Sequence, residues 1–385
     1  MQTSEAGTDA TVDDGPLTSE SSADGSTTDA RPMCDGADDL CHAPQAETLL
    51  EGGLAALAIA DMDGDLDLDL VIGTYADLGV YLVPGDGLGG LEEASWWSID
   101  LLNGFMQDVA LIDYNADGLL DVALDIGQPD VMVLFDNQPD DTLFYSASWN
   151  LPNVGPRQLA VDTFDGDARP DLAVVGALDG QVSVYLGSEE GFGAAVDTEL
   201  ELSLQSASIA DLDGDAASDL VLTAPESDRV AILAGVGDGS FDVIDLINVG
   251  GAPFDAHAAD FDGDGLPELA VLHGDGSGIS VWPGNAAYTF GESNFYALAG
   301  IVSDSAVGDV NDDGVLDLVA SHVSGTGVSI LVGNGDGTFG AAVEFASTGE
   351  MYSVRIADMN ADGINDVVAV GDETPGTVLV VLSQP

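Results

Sequence analysis

From residue 43 onward, short apolar runs alternate with acidic, glycine-containing loops, and within each run the apolar positions recur every second residue. Runs such as LAALAIAD, MQDVALID and YSVRIAD lead into a loop. A second run follows each loop at once: DLVIG, DVALD, DLAVV, DLVLT, ELAVL, DLVAS and DVVAV. A third alternates, as in Val182, Val184 and Leu186, or Val230, Ile232 and Ala234, or Val328, Ile330 and Val332. Period-two runs bounded by Gly and Asp turns predict strands, and no segment sustains helical periodicity. The loops begin at Asp61, Asp113, Thr163, Asp211, Asp260, Asp309 and Asp358, so the unit repeats seven times at intervals of 48 to 52 residues.

A short antiparallel sheet with two apolar faces cannot bury both alone; radial packing about an axis solves this. The repeat therefore predicts an all-β fold, a seven-bladed β-propeller of four-stranded antiparallel blades. The last unit stops after its third strand, TVLVVLSQP, whereas APQAETLLEGG precedes the first loop unpaired. Residues 43–52 are therefore expected to complete the seventh blade and remove the open edge. An open solenoid would need polar caps, and none is visible. The domain reading is a tether over 1–42 and a propeller over 43–385.

Composition sharpens this picture. Five basic residues, all arginine, face 70 acidic ones, for a formal net charge of −65. Nucleic acid is excluded as a partner, because phosphate binding needs a positive surface. Yet 45% of the residues are hydrophobic, so the acids sit on a folded frame and not on a disordered chain. Residues 1–42 are the exception: rich in Ser, Thr, Asp, Glu and Gly, they read as a solvated tether to an anchor or another module. Cys34 and Cys41 lie in that segment, where they would close one small disulfide loop or remain a thiol pair. No apolar stretch is long enough to span a bilayer.

The strongest chemistry is the loop pattern D-x-D-x-D-x-x-x-D. Asp61, Asp63, Asp65 and Asp69 carry it in unit one, Asp211, Asp213, Asp215 and Asp219 in unit four, and Asp260, Asp262, Asp264 and Glu268 in unit five. Units two, six and seven have Asn third: Asp113, Asn115, Asp117, Asp121; Asp309, Asn311, Asp313, Asp317; Asp358, Asn360, Asp362, Asp366. Unit three departs most, with Thr163, Asp165, Asp167 and Asp171, and should be the weakest. Oxygens at alternate positions of a tight loop converge on one point. The seventh residue (Asp67, Leu119, Arg169, Ala217, Leu266, Val315 or Ile364) adds its carbonyl and the ninth closes the shell. A glycine at the sixth position in units two, five, six and seven, or at the fourth in one, three and four, allows the turn. An all-oxygen shell of this charge suits Ca²⁺, up to seven ions, better than Mg²⁺ or zinc.

At these residues the sequence resembles the FG-GAP/VCBS repeat family, the propeller repeats also found at the head of integrin α subunits. Phe192-Gly193-Ala194-Ala195, Phe339-Gly340-Ala341-Ala342, Gly251-Ala252-Pro253 and the turns GVGDGSF and GNGDGTF belong to the same resemblance. It implies a seven-bladed propeller with calcium between strands one and two of each blade, and ligands on the opposite face. Unit two, with DNQPDDTLF, lacks the glycine turn, so its outer edge should differ.

Two functions follow. The first is a non-catalytic, secreted or cell-surface binding or adhesion module for a protein or glycan, monomeric and tethered through its N-terminal segment. Its ligand candidates, expected to be exposed, are Tyr75, Phe105, Arg157, Arg229, His273, His322 and Tyr352; of Trp96 and Trp97, one should pack between blades while the other faces out. The second is a propeller-type polysaccharide lyase or hydrolase with His257 and Arg355 paired in the central channel. No other catalytic constellation is visible.

Overall fold

The computed structural model describes residues 46–383, apart from 76–77, 100–103, 128–129, 140–141, 152–154, 178–179, 189–190, 325–326 and 373–374. The expected tether and the Cys34–Cys41 pair lie outside the described residues. Seven four-stranded antiparallel sheets carry the seven repeats. Blade one runs Leu54–Ala60, Asp69–Thr74, Gly79–Val83, Ser95–Ser98, and blades two to six repeat the order. Blade seven takes Ser353–Ala357, Asp366–Gly371 and Gly376–Val381 from the end of the chain and Ala46–Leu50 from its beginning. That closing strand pairs antiparallel with the last one, Thr48 opposite Val378. The first strands contact one another around the ring, blade seven against blade one included.

The second strands explain why the ring holds. Each is buried along its length, because both of its faces meet a neighbouring blade. Successive side chains go to opposite interfaces. Val71 joins the core shared with blade two, together with Met106, Val109 and Leu124. Leu70 and Ile72 join the core shared with blade seven, with Val368, Val378 and Val380. Seven such cores lie between the seven pairs of adjacent blades. The first strands, closest to the axis, are crowded with small residues. A Cβ on Gly308 would stand 3.0 Å from Ile356 of the next blade. Outer strands are mostly exposed.

Blade two keeps an ordinary outer strand, Phe144–Asn150, despite its lost glycine turn; it pairs with Val131–Asp136 through one register shift. The difference at the edge falls instead in blade five, where a small hairpin, Gly284–Ala286 with Thr289–Phe290, is inserted before the outer strand. No α-helix occurs among the described residues; Pro225–Ser227 forms one 3-10 turn. Trp97 packs against the core between blades one and two, while Trp96 is exposed on the outer strand and lies 4.6 Å from the Tyr81 ring.

The closing strand should be worth more than its five residues suggest, because it covers the edge of Gly376–Val381. A chain starting at residue 51 is expected to melt several degrees lower and to self-associate through that edge as concentration rises. Calorimetry and sedimentation check this; unchanged melting and a monomer at all concentrations would contradict it.

Candidate functional site

The ninth loop position is also the first residue of the second strand, and the burial of that strand takes the carboxylate with it. Asp69, Asp121, Asp171, Asp219, Glu268, Asp317 and Asp366 are all at most 3% exposed. Burial raises the pKa of each, Asp121 to about 7 and Asp317 and Asp366 to about 6, against the backbone donors that lower it. In blades one, four, five, six and seven one oxygen accepts the N–H of the loop's second residue, as Asp69 does from Met62 at 2.8 Å, Asp219 from Leu212 at 2.7 Å and Asp317 from Val310 at 2.9 Å. The other accepts an N–H just after the third strand: Gly85 at 3.0 Å, Gly235 at 2.9 Å, Gly333 at 2.8 Å. Those glycines are required. A Cβ on Gly85, Gly235 or Gly333 would meet the backbone carbonyl of Leu68, Ser218 or Leu316 within 2.4 Å. Asn137 and Ser383 occupy the corresponding place in blades two and seven.

Above this carboxylate the loop folds on its own side chains. Asp61 accepts from Gly64 and Leu66, Asp63 from Asp65, and Asp65 from Asp67. The pattern recurs in blade five through Asp260, Asp262 and Asp264. In six loops both the fourth and the sixth residues lie at positive φ, including Leu66, Ala116, Ala216, Asp312 and Ala361. The loop thus needs two left-handed residues and not the single glycine expected from its sequence. Ligand oxygens of positions one, three and nine lie within 4.8 Å of one another in blades one (Asp61, Asp63, Asp69), four (Asp211, Asp213, Asp219) and five (Asp260, Asp262, Glu268). These clusters could hold a metal ion. In blade two, Oδ2 of Asp121 is buried without any hydrogen-bond partner. Such an orphaned acceptor beside Asp113 and Asp117 fits a cation, because a buried unpaired carboxylate oxygen is costly. Blade three departs as its sequence suggests. Only Gly166 is left-handed there, and Asp162 turns away to accept from Ser218 of blade four at 2.6 Å.

Several loops are also held by the following blade. Asn137 donates to the Met62 carbonyl at 2.8 Å, Gly239 to that of Phe164 at 3.1 Å, and Asn365 to that of Asp309 at 2.9 Å. The inserted hairpin of blade five brings Tyr288 to the loop of blade four, its hydroxyl 3.4 Å from Asp219 Oδ1. Sequence reasoning missed these contacts, because they join units and not neighbours in one unit.

At the other end of the first strands, residues from all seven blades line an axial cavity of about 580 Å³. Five residues before each loop stand Ala56, Asp108, Gln158, Ser206, Asp255, Asp304 and Ser353. Four of them clasp the next blade's backbone. Asp108 accepts from Leu159 at 3.0 Å, Gln158 from Ala207 at 2.6 Å, Asp255 from Ser305 at 3.2 Å and Asp304 from Val354 at 3.0 Å. Three residues before the loop, His257 and Arg355 stand where four other blades have Ala and blade four has Ser208. They do not pair with each other. His257 meets Asp255 at 3.1 Å, and Arg355 donates to Asp304 at 2.8 Å. Burial works to raise Asp255, but the His257 charge and hydrogen bonds bring it down to about 2; burial works to lower His257, but Asp255 raises it. Burial pushes Asp108 up to about 6. Asp125, beside it on the second strand, is wholly buried with neither oxygen partnered, and its pKa is well above the ordinary carboxylate range.

The remaining candidates divide. Tyr75, Arg157 and Tyr352 line the cavity, and Phe105 stacks on Tyr75 with ring centroids 5.0 Å apart. Tyr75 and Phe105 are exposed, at 45% and 41%. His273 and His322 are not exposed as expected but are 4% and 0% accessible. Each reaches across its own blade to a serine, Ser280 at 2.8 Å and Ser329 at 2.5 Å, and burial lowers both their pKa values. Their position at the end of an all-buried second strand is the signal that could have placed them inside. Arg229 is half-buried at the start of the third strand of blade four.

Two outcomes test this geometry. In chelator, Asp219→Ala strands the Leu212 and Gly235 N–H groups and should cost about 3 kcal/mol of unfolding free energy; a denaturant melt within 0.5 kcal/mol of the parent would contradict the clamp. The Asp255–His257 pair carries a pH signature. The depressed Asp255 contributes stability above the unfolded carboxylate value, lost as pH falls towards 2. The raised His257 contributes below about 6.5, lost as pH climbs through its folded value. His257→Gln should therefore flatten the alkaline side of the stability profile measured by thermal melts across pH; an unchanged profile would contradict the pairing.

The FG-GAP-like repeat family matches residues 211–271, 260–320 and 309–369. No curated protein matches the sequence. Among solved structures, a chain of the BBS1N–ARL6DN complex superposes with a TM-score of 0.63 at 11% identity, over 88% of this chain and 95% of that one. An Agrocybe aegerita lectin, described for recognition of non-reducing terminal N-acetylglucosamine, gives 0.55 at 18% identity over 82% and 88%. A Lactobacillus plantarum protein gives 0.57 at 14% identity over 78% and 86%. At such identities the likeness is one of fold. Residues 211–369 thus match the FG-GAP-like repeat model, within a chain whose described residues form a seven-bladed β-propeller.

Proposed function

We propose that the chain is a secreted or cell-surface β-propeller that binds calcium in its loops and serves as a non-catalytic binding or adhesion module for a protein or glycan, tethered through residues 1–42. The observation that carries the calcium reading is the convergence of positions one, three and nine within 4.8 Å in three blades, with oxygen as the only donor type. Hard oxygen ligands in number suit Ca²⁺; zinc would call for His or Cys, and Mg²⁺ for a stricter octahedron with more water. The fifth side chain and seventh carbonyl of each loop would complete the shell. The bound ion would supply positive charge to loops that otherwise hold their carboxylates against mutual repulsion.

The binding-module reading is supported by the axial cavity on the far side from the loops, and the Agrocybe aegerita lectin offers an analogy of fold. Lyase or hydrolase chemistry gains no support from the channel. The pairing of His257 with Arg355 on which it rested is not formed; each meets a separate carboxylate instead.

Calcium at millimolar concentration should raise the melting temperature strongly over that in EDTA, because ligation favours the folded loops. Thr163→Asp should add to the calcium-dependent gain by strengthening the loop of blade three. Identical calorimetric curves in EDTA and calcium would refute the calcium reading.

A further inference from the structure

The geometry points to the axial cavity as the ligand site, with a neutral saccharide unit as its occupant; this rests on the binding-module reading above and specifies it. The cavity's acids are already used. Asp108, Asp255 and Asp304 spend their oxygens on the backbone or hydroxyls of the next blade, and Asp255 and Asp304 also on His257 and Arg355. Arg355 and several of the cavity's hydroxyls are engaged as well, but three side chains keep N–H groups free. Arg157 is exposed, forms no ion pair with any described residue, and makes one long hydrogen bond, 3.3 Å to Gln107 Oε1. The Gln205 side chain makes no hydrogen bond among the described residues, and Gln158 uses only its carbonyl oxygen.

A cavity whose carboxylates are occupied while Arg157, Gln158 and Gln205 keep N–H groups free favours a ligand rich in acceptors. Carboxylates and phosphates meet that description, but a chain of net charge −65 with committed aspartates at the cavity wall repels them. Hydroxyl and ring oxygens of a neutral sugar remain. At the same mouth, Tyr75 and Phe105 form an exposed stacked pair, a flat apolar surface of the kind the C–H face of a pyranose covers. The cavity volume falls within the range of small-ligand sites.

The test uses the full chain in calcium on an array of neutral, uronate-containing and amino-sugar glycans together with basic peptides, followed by titration calorimetry with the best neutral glycan. Binding to neutral glycans is expected. Tyr75→Ala and Arg157→Ala should each weaken it roughly tenfold, the loss of one aromatic or charged hydrogen-bond contact. Trp96→Ala, on the outer strand of blade one, should not, and melting temperatures of the cavity variants should stay within a degree or two of the parent. Neutral-glycan binding untouched by Tyr75→Ala and Arg157→Ala would overturn the axial location while leaving a binding module standing. Preference for uronates, amino sugars or basic peptides would overturn the ligand class. Retention of nothing on the array would count against the saccharide proposal and the glycan arm of the module reading together.

Discussion

The structure depends on one buried carboxylate used seven times. The acid at the ninth loop position sits where solvent is excluded on both faces of the second strand, so its ionised form is costly unless donors surround it. Backbone N–H groups from the loop and from the end of the third strand provide them, except in blade two, where the loop leaves one oxygen of Asp121 unpartnered. A single side chain thereby fixes the start of the second strand, the shape of the loop and the exit of the third strand. The glycine that lets that exit approach the loop belongs to the same device.

Much of this was legible because it repeats. Period-two runs and a fixed interval set the number of blades, and a missing fourth strand at one end with a spare strand at the other announced closure. The loop pattern located the convergent acids of blades one, four and five. What was not legible lies between repeats or depends on depth. Nothing in the spacing tells that Asn137 reaches Met62, or that Tyr288 enters the loop of another blade. His273 and His322 were misplaced because a polar residue ending an apolar run reads as a surface residue, whereas a serine one strand away bonds the Nε2 of each of them inside. His257 and Arg355 were placed rightly near the axis, but paired wrongly, since the acids that capture them sit two residues back on one strand and on the neighbouring blade.

The two ends of the first strands therefore have different roles. At one end, acids converge in a tight loop, a charge distribution that could hold a cation. At the other, acids are spent as fasteners between blades, and two of the five arginines, Arg157 and Arg355, line a cavity. A propeller can in this way separate what keeps it rigid from what it offers to a partner, with the first and second strands running between the two.

The pairing of Ala46–Leu50 with Gly376–Val381 also bears on how the molecule comes into being. The earliest strand of the propeller to leave the ribosome finds its partner only after some 330 further residues have been made. Until then blade seven has three strands at most, and the core it shares with blade one cannot form. Closure is thus a late, long-range event, and the slow step of folding should be the joining of the ends of the ring and not the formation of any blade.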